Sequence, residues 1–174
     1  KKNNIRVKHI PTFQNQTKVD LKDIKKKLNN KIINFLYVGS LNSSAGKNFL
    51  YDLKKFKLKN YTKYKIKIYF MVQVKNEIKT ILKKNKINFS FVAKSNKVDN
   101  LMKKIHYGIY LSNYDIGIRQ RILFFMSYGI PTICHTNNKK SIKQLDSLKN
   151  VFFYNQDLNL DKILKNHKNF YLKK

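Results

Sequence analysis

The sequence has little cysteine, glycine, proline and acid: one Cys, five Gly, two Pro and nine Asp or Glu in 174 residues, with no Trp. A single cysteine, Cys134, excludes an internal disulfide framework and fits a reducing cytoplasmic compartment. No stretch approaches the roughly 20 apolar residues of a membrane-spanning helix, and no secretory signal is visible. Because the first residue is Lys1 rather than Met, we expect that other sequence precedes it.

The shortage of acid leaves a net charge of +29, carried by 35 Lys and only three Arg among 38 basic residues. Proteins that grip phosphate groups favour Arg, whose planar fork pairs bidentately with them. Abundant Lys, Asn and Ile with few Gly and Pro is the composition that an AT-rich genome encodes. We therefore attribute most of the charge to base composition, while selected binding of nucleic acid or an anionic membrane remains an alternative. Lysines gathered on one face would favour selection, and an even scatter would favour base composition.

Short apolar runs alternate with segments of helical periodicity along most of the chain. This alternation predicts an α/β fold, a Rossmann-like doubly wound parallel sheet of about six strands. Residues 1–31 are expected to be a lead-in segment (a linker, or an edge strand at 5–11 plus a short helix at 19–31), and 32–174 the domain. The predicted strands are 33–38, 64–72, 87–92, 107–111, 131–136 and 151–154. The predicted helices are 47–56, 76–85, 97–105, 120–128, 141–148 and 160–172.

Ligands of open parallel sheets bind beyond the carboxyl ends of the strands, and two strand-to-helix junctions carry suitable residues. The first is VGSLNSSAGKN (38–48). Its small residues let backbone N–H groups approach an anion, the following helix adds its dipole, and Lys47 adds a charge. It is neither a P-loop nor a GxGxxG motif. Phosphate binding and an ordinary strand–loop–helix turn both remain open here.

The second junction is YLSNYDIGIRQRILFFMSYGIP (110–131), where Asp115, Gly117, Arg119 and Arg121 precede or begin a helix. Two of the three arginines fall within three residues, and Arg is disfavoured at a helix N-terminus by the dipole. We therefore favour a functional use of guanidinium geometry here over a solvated helix start. Gly129 is expected to end the helix in a left-handed conformation ahead of Pro131.

The histidines, the cysteine and the aromatic residues do not indicate a metal, catalytic or RNA-binding site. The four histidines are scattered without metal-ligand spacing, so no metal is expected. Cys134 lies inside an apolar strand and is interpreted as a core residue, and His135 as a core or rim residue. The many Tyr and Phe fall at core spacing, which does not indicate a stacking platform for RNA.

The two junctions, in this order and followed by FMSYGIPTI (125–133), resemble the C-terminal, donor-binding half of GT-B glycosyltransferases near family 4, also called group 1. The resemblance runs from about Ile33 to Leu164 and implies a Rossmann-like domain that binds a nucleoside-diphosphate sugar. It implies a retaining hexosyltransferase that needs no metal or other cofactor. The sugar would pass to a glycan or lipid-linked acceptor, held by a domain that precedes Lys1.

The resemblance also implies roles for individual residues. The donor diphosphate would be bound by Gly39, Ser40, Lys47, Arg119 and Arg121, with Ser40 standing where the family has Arg. The loop near the donor sugar and nucleoside would contain Asp115, Gly117, Ile118 and Phe124. The two glutamates of the family fall on Ile116 and Phe124, and the only Glu of the chain is Glu77. Catalytic residues are therefore not assigned. A degenerate or inactive glycosyltransferase is a second form of the hypothesis.

Two hypotheses of different classes follow. In the first, the chain is the donor-binding half of a cytoplasmic glycosyltransferase, with a peripheral position at the inner face of the membrane as an option. In the second, it is a non-catalytic basic Rossmann-like module that binds an anionic membrane surface or, with less support, nucleic acid. Steep salt dependence of binding to RNA or vesicles would favour the second.

Overall fold

The computed structural model of the chain describes residues 26–27, 29–43, 46–47, 49, 51, 64–72, 76–84, 87–92, 98–111, 120–139, 151–154 and 164. Within these ranges the strands are β1 (Ile32–Tyr37), β2 (Lys65–Phe70), β3 (Asn88–Phe91), β4 (Tyr107–Tyr110), β5 (Thr132–His135) and β6 (Val151–Tyr154). The helices are α1 (Asn76–Lys84), α2 (Val98–Met102) and α3 (Gln120–Ser127), and a short 3-10 helix follows β5 at Thr136–Asn138. Helical turns also include residues 26–27, 46–47, 49, 51 and 164.

The six strands form one sheet in the order β3-β2-β1-β4-β5-β6, and every neighbouring pair is parallel. The predicted α/β class and the number of strands are therefore confirmed. The strand order reverses between β1 and β4, which are direct neighbours although two strands separate them in sequence. At such a reversal the loops that follow the two strands diverge and leave a crevice at the carboxyl edge of the sheet.

The sheet is buried on both faces, which explains why the central strands read as continuous apolar runs rather than alternating ones. One face of β1 presents Phe35 and Tyr37, which pack with Phe49 and α1. The other face presents Leu36, which packs with α2 and α3. Aromatic rings fill much of the first face, with Tyr37 4.8 Å from Phe49 and 6.0 Å from Phe70 between ring centroids. The expectation that the aromatic residues fall at core spacing holds for these positions.

Helix α3 lies unusually close to β4 because of Gly108. A Cβ atom at Gly108 would overlap the ring of Phe125, so only glycine lets this helix approach the strand so closely. Phe125 and Ile122 are both fully buried against the sheet. This close packing sets the distance and orientation of α3 relative to the sheet. It thereby sets the position of the first turn of α3 at the carboxyl edge.

The turn from α3 to β5 forms as the sequence predicted, with Gly129 ending the helix ahead of Pro131. Gly129 has φ +62°, a left-handed conformation that glycine adopts without strain, and it ends the helix. The N–H groups of Gly129 and Ile130 donate to the carbonyls of Met126 and Phe125, at 2.8 and 2.9 Å. The turn thus satisfies the last carbonyls of α3 before Pro131 leads into β5.

At the amino edge of the sheet, a buried histidine joins the turn at residues 26–27 to the domain. His106 Nδ1 accepts from the N–H of Asn34 at 3.0 Å, so its Nε2 carries the proton and donates to the carbonyl of Lys27 at 3.1 Å. The carbonyl of Asn34 accepts from the N–H of His106 in return, at 2.8 Å. Lys27 is itself buried and donates from Nζ to the carbonyl of Met102 at 3.3 Å. Four hydrogen bonds, two of them made by the fully buried imidazole, therefore connect residue 27 with β1, α2 and the start of β4.

Several predicted elements lie outside the described residues: the edge strand at 5–11, the helix at 141–148, most of 19–31 and most of 160–172. The predicted boundary between residues 31 and 32 stays a prediction. Among the residues described, no helix has the length and apolarity to cross a membrane.

Candidate functional site

The candidate site lies at the carboxyl edge, where β1 and β4 end beside each other. After Tyr37, the last residue of β1, the chain turns at Gly39 with φ +127°, a conformation that side chains rarely allow. The turn directs residues 40–43 across the end of the strand and back into a helix. Glycine is therefore required by the backbone at the point where the sequence predicted close approach of an anion.

Arg121, in the first turn of α3, reaches across this edge to the turn after β1. A Cβ atom placed on Gly39 would overlap the guanidinium carbon of Arg121 and would lie 2.7 Å from its Nη2. The guanidinium group therefore lies against the Gly39 Cα, where the side chain of another residue would have to displace it, and the positive φ disfavours such a residue in any case. Arg121 is half-buried, and a cation in the first turn of a helix opposes the helix dipole. The two predicted junctions are thus in contact.

A compact set of serine hydrogen bonds shapes the loop between Gly39 and the following helix. The carbonyl of Ser40 accepts from the hydroxyl of Ser43 at 2.6 Å, from the N–H of Ser43 at 3.4 Å and from the hydroxyl of Tyr37 at 3.2 Å. The hydroxyl of Ser40 accepts from the N–H of Asn42 at 3.1 Å. These bonds hold the loop in one conformation, so the loop loses less conformational entropy when a ligand binds.

Ser43 then begins the helix that carries Lys47. Its hydroxyl accepts from the N–H of Gly46 at 3.2 Å, and its carbonyl accepts from the N–H of Lys47 at 2.9 Å. This is the arrangement of an N-cap serine. A Cβ atom on Gly46 would overlap the backbone of Leu41, so the second glycine allows the loop to lie on the first helical turn. Lys47 is exposed one residue further, on the helix that starts at the loop.

The hydroxyl of Tyr37 lies beneath this loop, although the Tyr37 side chain is almost wholly buried. Burial raises the pKa of Tyr37, while the positive charge of Arg121 and a hydrogen bond with Ser43 partly oppose the rise. The phenol therefore stays neutral and acts as a hydrogen-bond donor to Ser40. Arg121 therefore lies near the Tyr37 phenol as well as against Gly39.

Phe124 lies one turn further along α3 and packs partly against the core cluster that contains Phe125. Its ring centroid is 5.6 Å from that of Phe125 and 5.3 Å from that of Tyr128, the latter edge-to-face. Tyr128 donates from its hydroxyl to the carboxylate of Asp99 at 2.8 Å, which ties α3 to α2. Phe124 therefore presents an apolar, half-buried surface where a hydrogen-bond acceptor would be expected from the resemblance.

Cys134 and His135 take structural positions. Cys134 is fully buried, and burial raises the pKa of its thiol far above the usual value, so it is a core residue rather than a nucleophile. His135 is half-buried and accepts at Nδ1 from the N–H of Asn137 at 3.2 Å, capping the 3-10 helix. In the described part of the chain, no three His, Cys, Asp or Glu residues are grouped closely enough to hold a metal ion.

The structure describes five of the nine residues assigned to the site from sequence. It brings Arg121 against Gly39, with Ser40 in the next position and Lys47 on the helix that the loop begins. Phe124 lies on the same helix as Arg121 but in a different, apolar environment. The remaining four, Asp115, Gly117, Ile118 and Arg119, lie outside the described residues.

Two residues that support the site were not identified from sequence. Tyr37 was interpreted only as part of an apolar strand, and Gly108 only as part of the next one. Ser43 could have been found, because a serine three residues before Gly46 at the start of a helical pattern is an N-cap signal. The contact between Gly108 and Phe125 leaves no such local signal, since it depends on how α3 crosses the sheet.

Comparison with solved structures finds the same fold in several proteins. The C-terminal domain of a group 1 family glycosyl transferase, LpcC from Francisella tularensis, matches with a TM-score of 0.58 at 15% identity, over 90% of this chain and 88% of that domain. The lipopolysaccharide outer core galactosyltransferase WaaB matches with a TM-score of 0.59 at 16% identity, over 92% of this chain and 44% of WaaB. TarM matches with a TM-score of 0.59 at 16% identity, over 80% of this chain and 29% of TarM.

The chain thus has the Rossmann-like fold of the GT-B glycosyltransferases, as the resemblance predicted, and it spans less than half the length of WaaB and TarM. At these identities the likeness establishes the fold. No protein-family model and no curated protein matches the sequence.

Proposed function

We propose that this chain is the donor-binding half of a glycosyltransferase and that the edge between β1 and β4 binds the diphosphate of a nucleoside-diphosphate sugar. The sugar would be transferred to a glycan or lipid-linked acceptor held by another part of a longer protein. The fold supports the class of protein, since the C-terminal domain of the group 1 glycosyl transferase LpcC shares it over 88% of that domain.

The observation that carries the proposal is the packing of Arg121 on Gly39. A guanidinium fork can donate two parallel hydrogen bonds to neighbouring phosphate oxygens, and it does so best when it is held in place. Here a neighbouring strand's turn holds it, beside backbone that can approach closely because residue 39 has no side chain. Ser40, which occupies the position of a family Arg, is one residue away, so Arg121 supplies from α3 the charge that position 40 has lost.

In glycosyl transfer, the bond between the anomeric carbon and the diphosphate breaks and negative charge grows on the departing phosphate oxygen. Arg121 and Lys47 would stabilise that charge, and the dipole of the helix that Ser43 begins would add to it. Arg119, two residues before Arg121, is proposed to take part in the same way.

The nucleoside would be held less tightly than in the resembled family. Phe124 cannot accept a hydrogen bond from a ribose hydroxyl, and its ring is engaged with Tyr128. The loss of one hydrogen bond to a charged group corresponds to about 1.5–3 kcal/mol, or ten- to a hundredfold in affinity. Asp115 is the nearest carboxylate in sequence and is proposed to face the donor, although it does not replace the missing group at position 124.

Calorimetric titration with UDP, GDP and ADP tests the proposal. We expect one of these to bind to a single site, with an affinity that falls at least tenfold in Arg121→Gln and partly recovers in Arg121→Lys, which keeps the charge but loses the fork. Lys47→Gln should weaken binding by a smaller factor, and Lys139→Gln, which removes an equal charge elsewhere, should leave it unchanged. Absence of binding by all three nucleotides, or equal loss in Lys47→Gln and Lys139→Gln, would refute donor recognition at this edge.

A further inference from the structure

The lysines of the described residues are not spread evenly over the fold. Six exposed ones are gathered at the amino edge of the sheet, opposite the candidate site: Lys31, Lys65, Lys83, Lys84, Lys103 and Lys104. Lys26, also exposed, precedes Lys27, whose carbonyl is bonded to His106 at the same edge. Away from this edge, the exposed lysines that the structure describes are Lys47 and Lys139. We propose that this amino edge is a docking surface for an anionic lipid bilayer.

The topology explains how residues far apart in sequence form one surface. Lys31 immediately precedes β1 and Lys65 begins β2, and the N–H of Lys65 donates to the carbonyl of Lys31 at 2.9 Å. Lys83 and Lys84 end α1, just before β3. The pair at 103–104 follows α2 and precedes β4, the other neighbour of β1. Lys31 and Lys65 therefore lie on the edge of the sheet itself, and the two lysine pairs lie at the ends of helices that pack on its two faces.

A helix dipole explains only part of this arrangement. Lysines are favoured at the carboxyl ends of helices, and those ends meet at the amino edge of a parallel sheet, which accounts for the pairs after α1 and α2. Lys31 and Lys65 start strands, so no helix dipole stabilises them. The two carboxylates within the described ranges do not neutralise the edge, because Glu77 is in the first turn of α1 at the other end and Asp99 accepts from Tyr128.

The chemistry of the surface favours lipid over nucleic acid. Lysine ammonium groups act as point charges suited to a diffuse layer of phosphate headgroups, whereas the arginine forks typical of nucleic-acid recognition are absent from the described part of this edge. Ile32 follows Lys31 as the first residue of β1 and exposes 39% of its surface, so an exposed apolar side chain lies beside the lysines. Two large exposed aromatic side chains are described, Tyr51 and Phe91. Tyr51 lies in a helix and Phe91 at the carboxyl end of β3, away from this edge, so they form no stacking platform for RNA here.

Docking by this edge leaves the candidate site accessible. A six-residue strand such as β1 is about 20 Å long, so the turn at Gly39 would point away from the bilayer. Binding to the membrane therefore needs no nucleotide, and nucleotide binding needs no membrane. The two activities can be measured separately, and the failure of one does not imply the failure of the other.

Flotation with vesicles of phosphatidylcholine containing 30% phosphatidylglycerol, without nucleotide, tests the proposal. A lysine near an anionic surface contributes about fivefold in affinity, so Lys31→Gln/Lys65→Gln and Lys103→Gln/Lys104→Gln should each lose roughly 25-fold. The matched control, Lys79→Gln/Lys139→Gln, removes the same charge elsewhere and should lose less than fivefold. Ile32→Ser should weaken binding to the same vesicles without changing its salt dependence, and pure phosphatidylcholine vesicles should not bind. Melting temperatures verify that each variant folds.

Equal losses in the three double variants would overturn the proposal, because net charge alone would then explain the binding. Absence of binding to the anionic vesicles would overturn it as well. A single-stranded RNA competitor that binds more tightly than the vesicles, with the same dependence on Lys31 and Lys65, would assign the surface to nucleic acid instead.

Discussion

The guanidinium group of Arg121 packs against the Cα atom of Gly39, so the first turn of α3 touches the turn that follows β1. These residues are 82 positions apart in sequence (121 − 39), and the reversal of strand order between β1 and β4 brings them together. A positively charged group therefore lies at the carboxyl edge, beside the glycine turn that follows β1. The predictions below follow from this contact and from the packing that supports it.

Gly39→Ala should reduce both stability and nucleotide affinity. Its backbone at φ +127° disfavours any side chain, at a cost of about 1–3 kcal/mol, and the new methyl group would displace the guanidinium. We expect a lower free energy of unfolding in urea and at least tenfold weaker nucleotide binding. In the Arg121→Gln background the same change should cost less, because the displaced group is gone. Full additivity of the two substitutions would contradict the contact.

Gly108→Ala should push α3 away from the sheet. The added methyl group would overlap the ring of Phe125, and overpacking of a core costs about 1–3 kcal/mol. Nucleotide affinity should also fall, because Arg121 moves with the helix. Phe125→Leu should restore part of both losses when it is combined with Gly108→Ala, as measured by urea unfolding and calorimetry. A double variant less stable than either single variant would contradict the packing.

Tyr37→Phe should loosen the loop while leaving the core intact. It removes the hydroxyl that donates to the carbonyl of Ser40, a net loss of about 1 kcal/mol, and it should weaken nucleotide binding a few-fold. Tyr128→Phe is the matched control, since it removes a hydroxyl bonded to Asp99 at a distance from the loop. If the two variants bind nucleotide equally well, Tyr37 has no positioning role.

The protein should lose stability in alkali through its buried acids. Burial raises the pKa of the Cys134 thiol and of the Tyr107 phenol above their usual values of 9.0 and 10.0. The unfolded chain therefore releases these protons first, so the stability these groups contribute is complete below about pH 8 and falls as the pH rises above 9. Cys134→Ala should show a smaller loss between pH 8 and 10 in urea unfolding than the unsubstituted chain. An identical loss would mean that the thiol does not contribute.

The fold was predictable because its signals are local. Strands buried on both faces read as apolar runs, and Gly129 with Pro131 marks the end of α3, so all six strands appear where the pattern placed them. The turn at Gly39 and the cation at Lys47 were also predictable, since small residues before a helix suggest an anion site.

The remaining parts depend on tertiary packing. The sequence identified Arg121 as a candidate but did not show that its guanidinium lies on Gly39, because that contact depends on the rotation of α3. His106 gave no signal, since its two hydrogen bonds join residues 72 and 79 positions away. The gathering of the described exposed lysines at the amino edge was also not predictable, because their sequence positions are scattered and only the fold brings them to one end of the sheet.

The most direct test of the central claim is a nucleotide titration of the ¹⁵N-labelled chain followed by NMR, using the nucleotide that binds in calorimetry. The account predicts saturable shifts of the amides of residues 39–43 and 46–47 and of the Arg121 Nε–H, with the amides of Lys31, Lys65 and Lys103 unchanged. Shifts that spread over the amino-edge lysines and leave Gly39 and Arg121 unmoved would mean that the nucleotide binds only as a general anion, and the proposed donor site would be wrong.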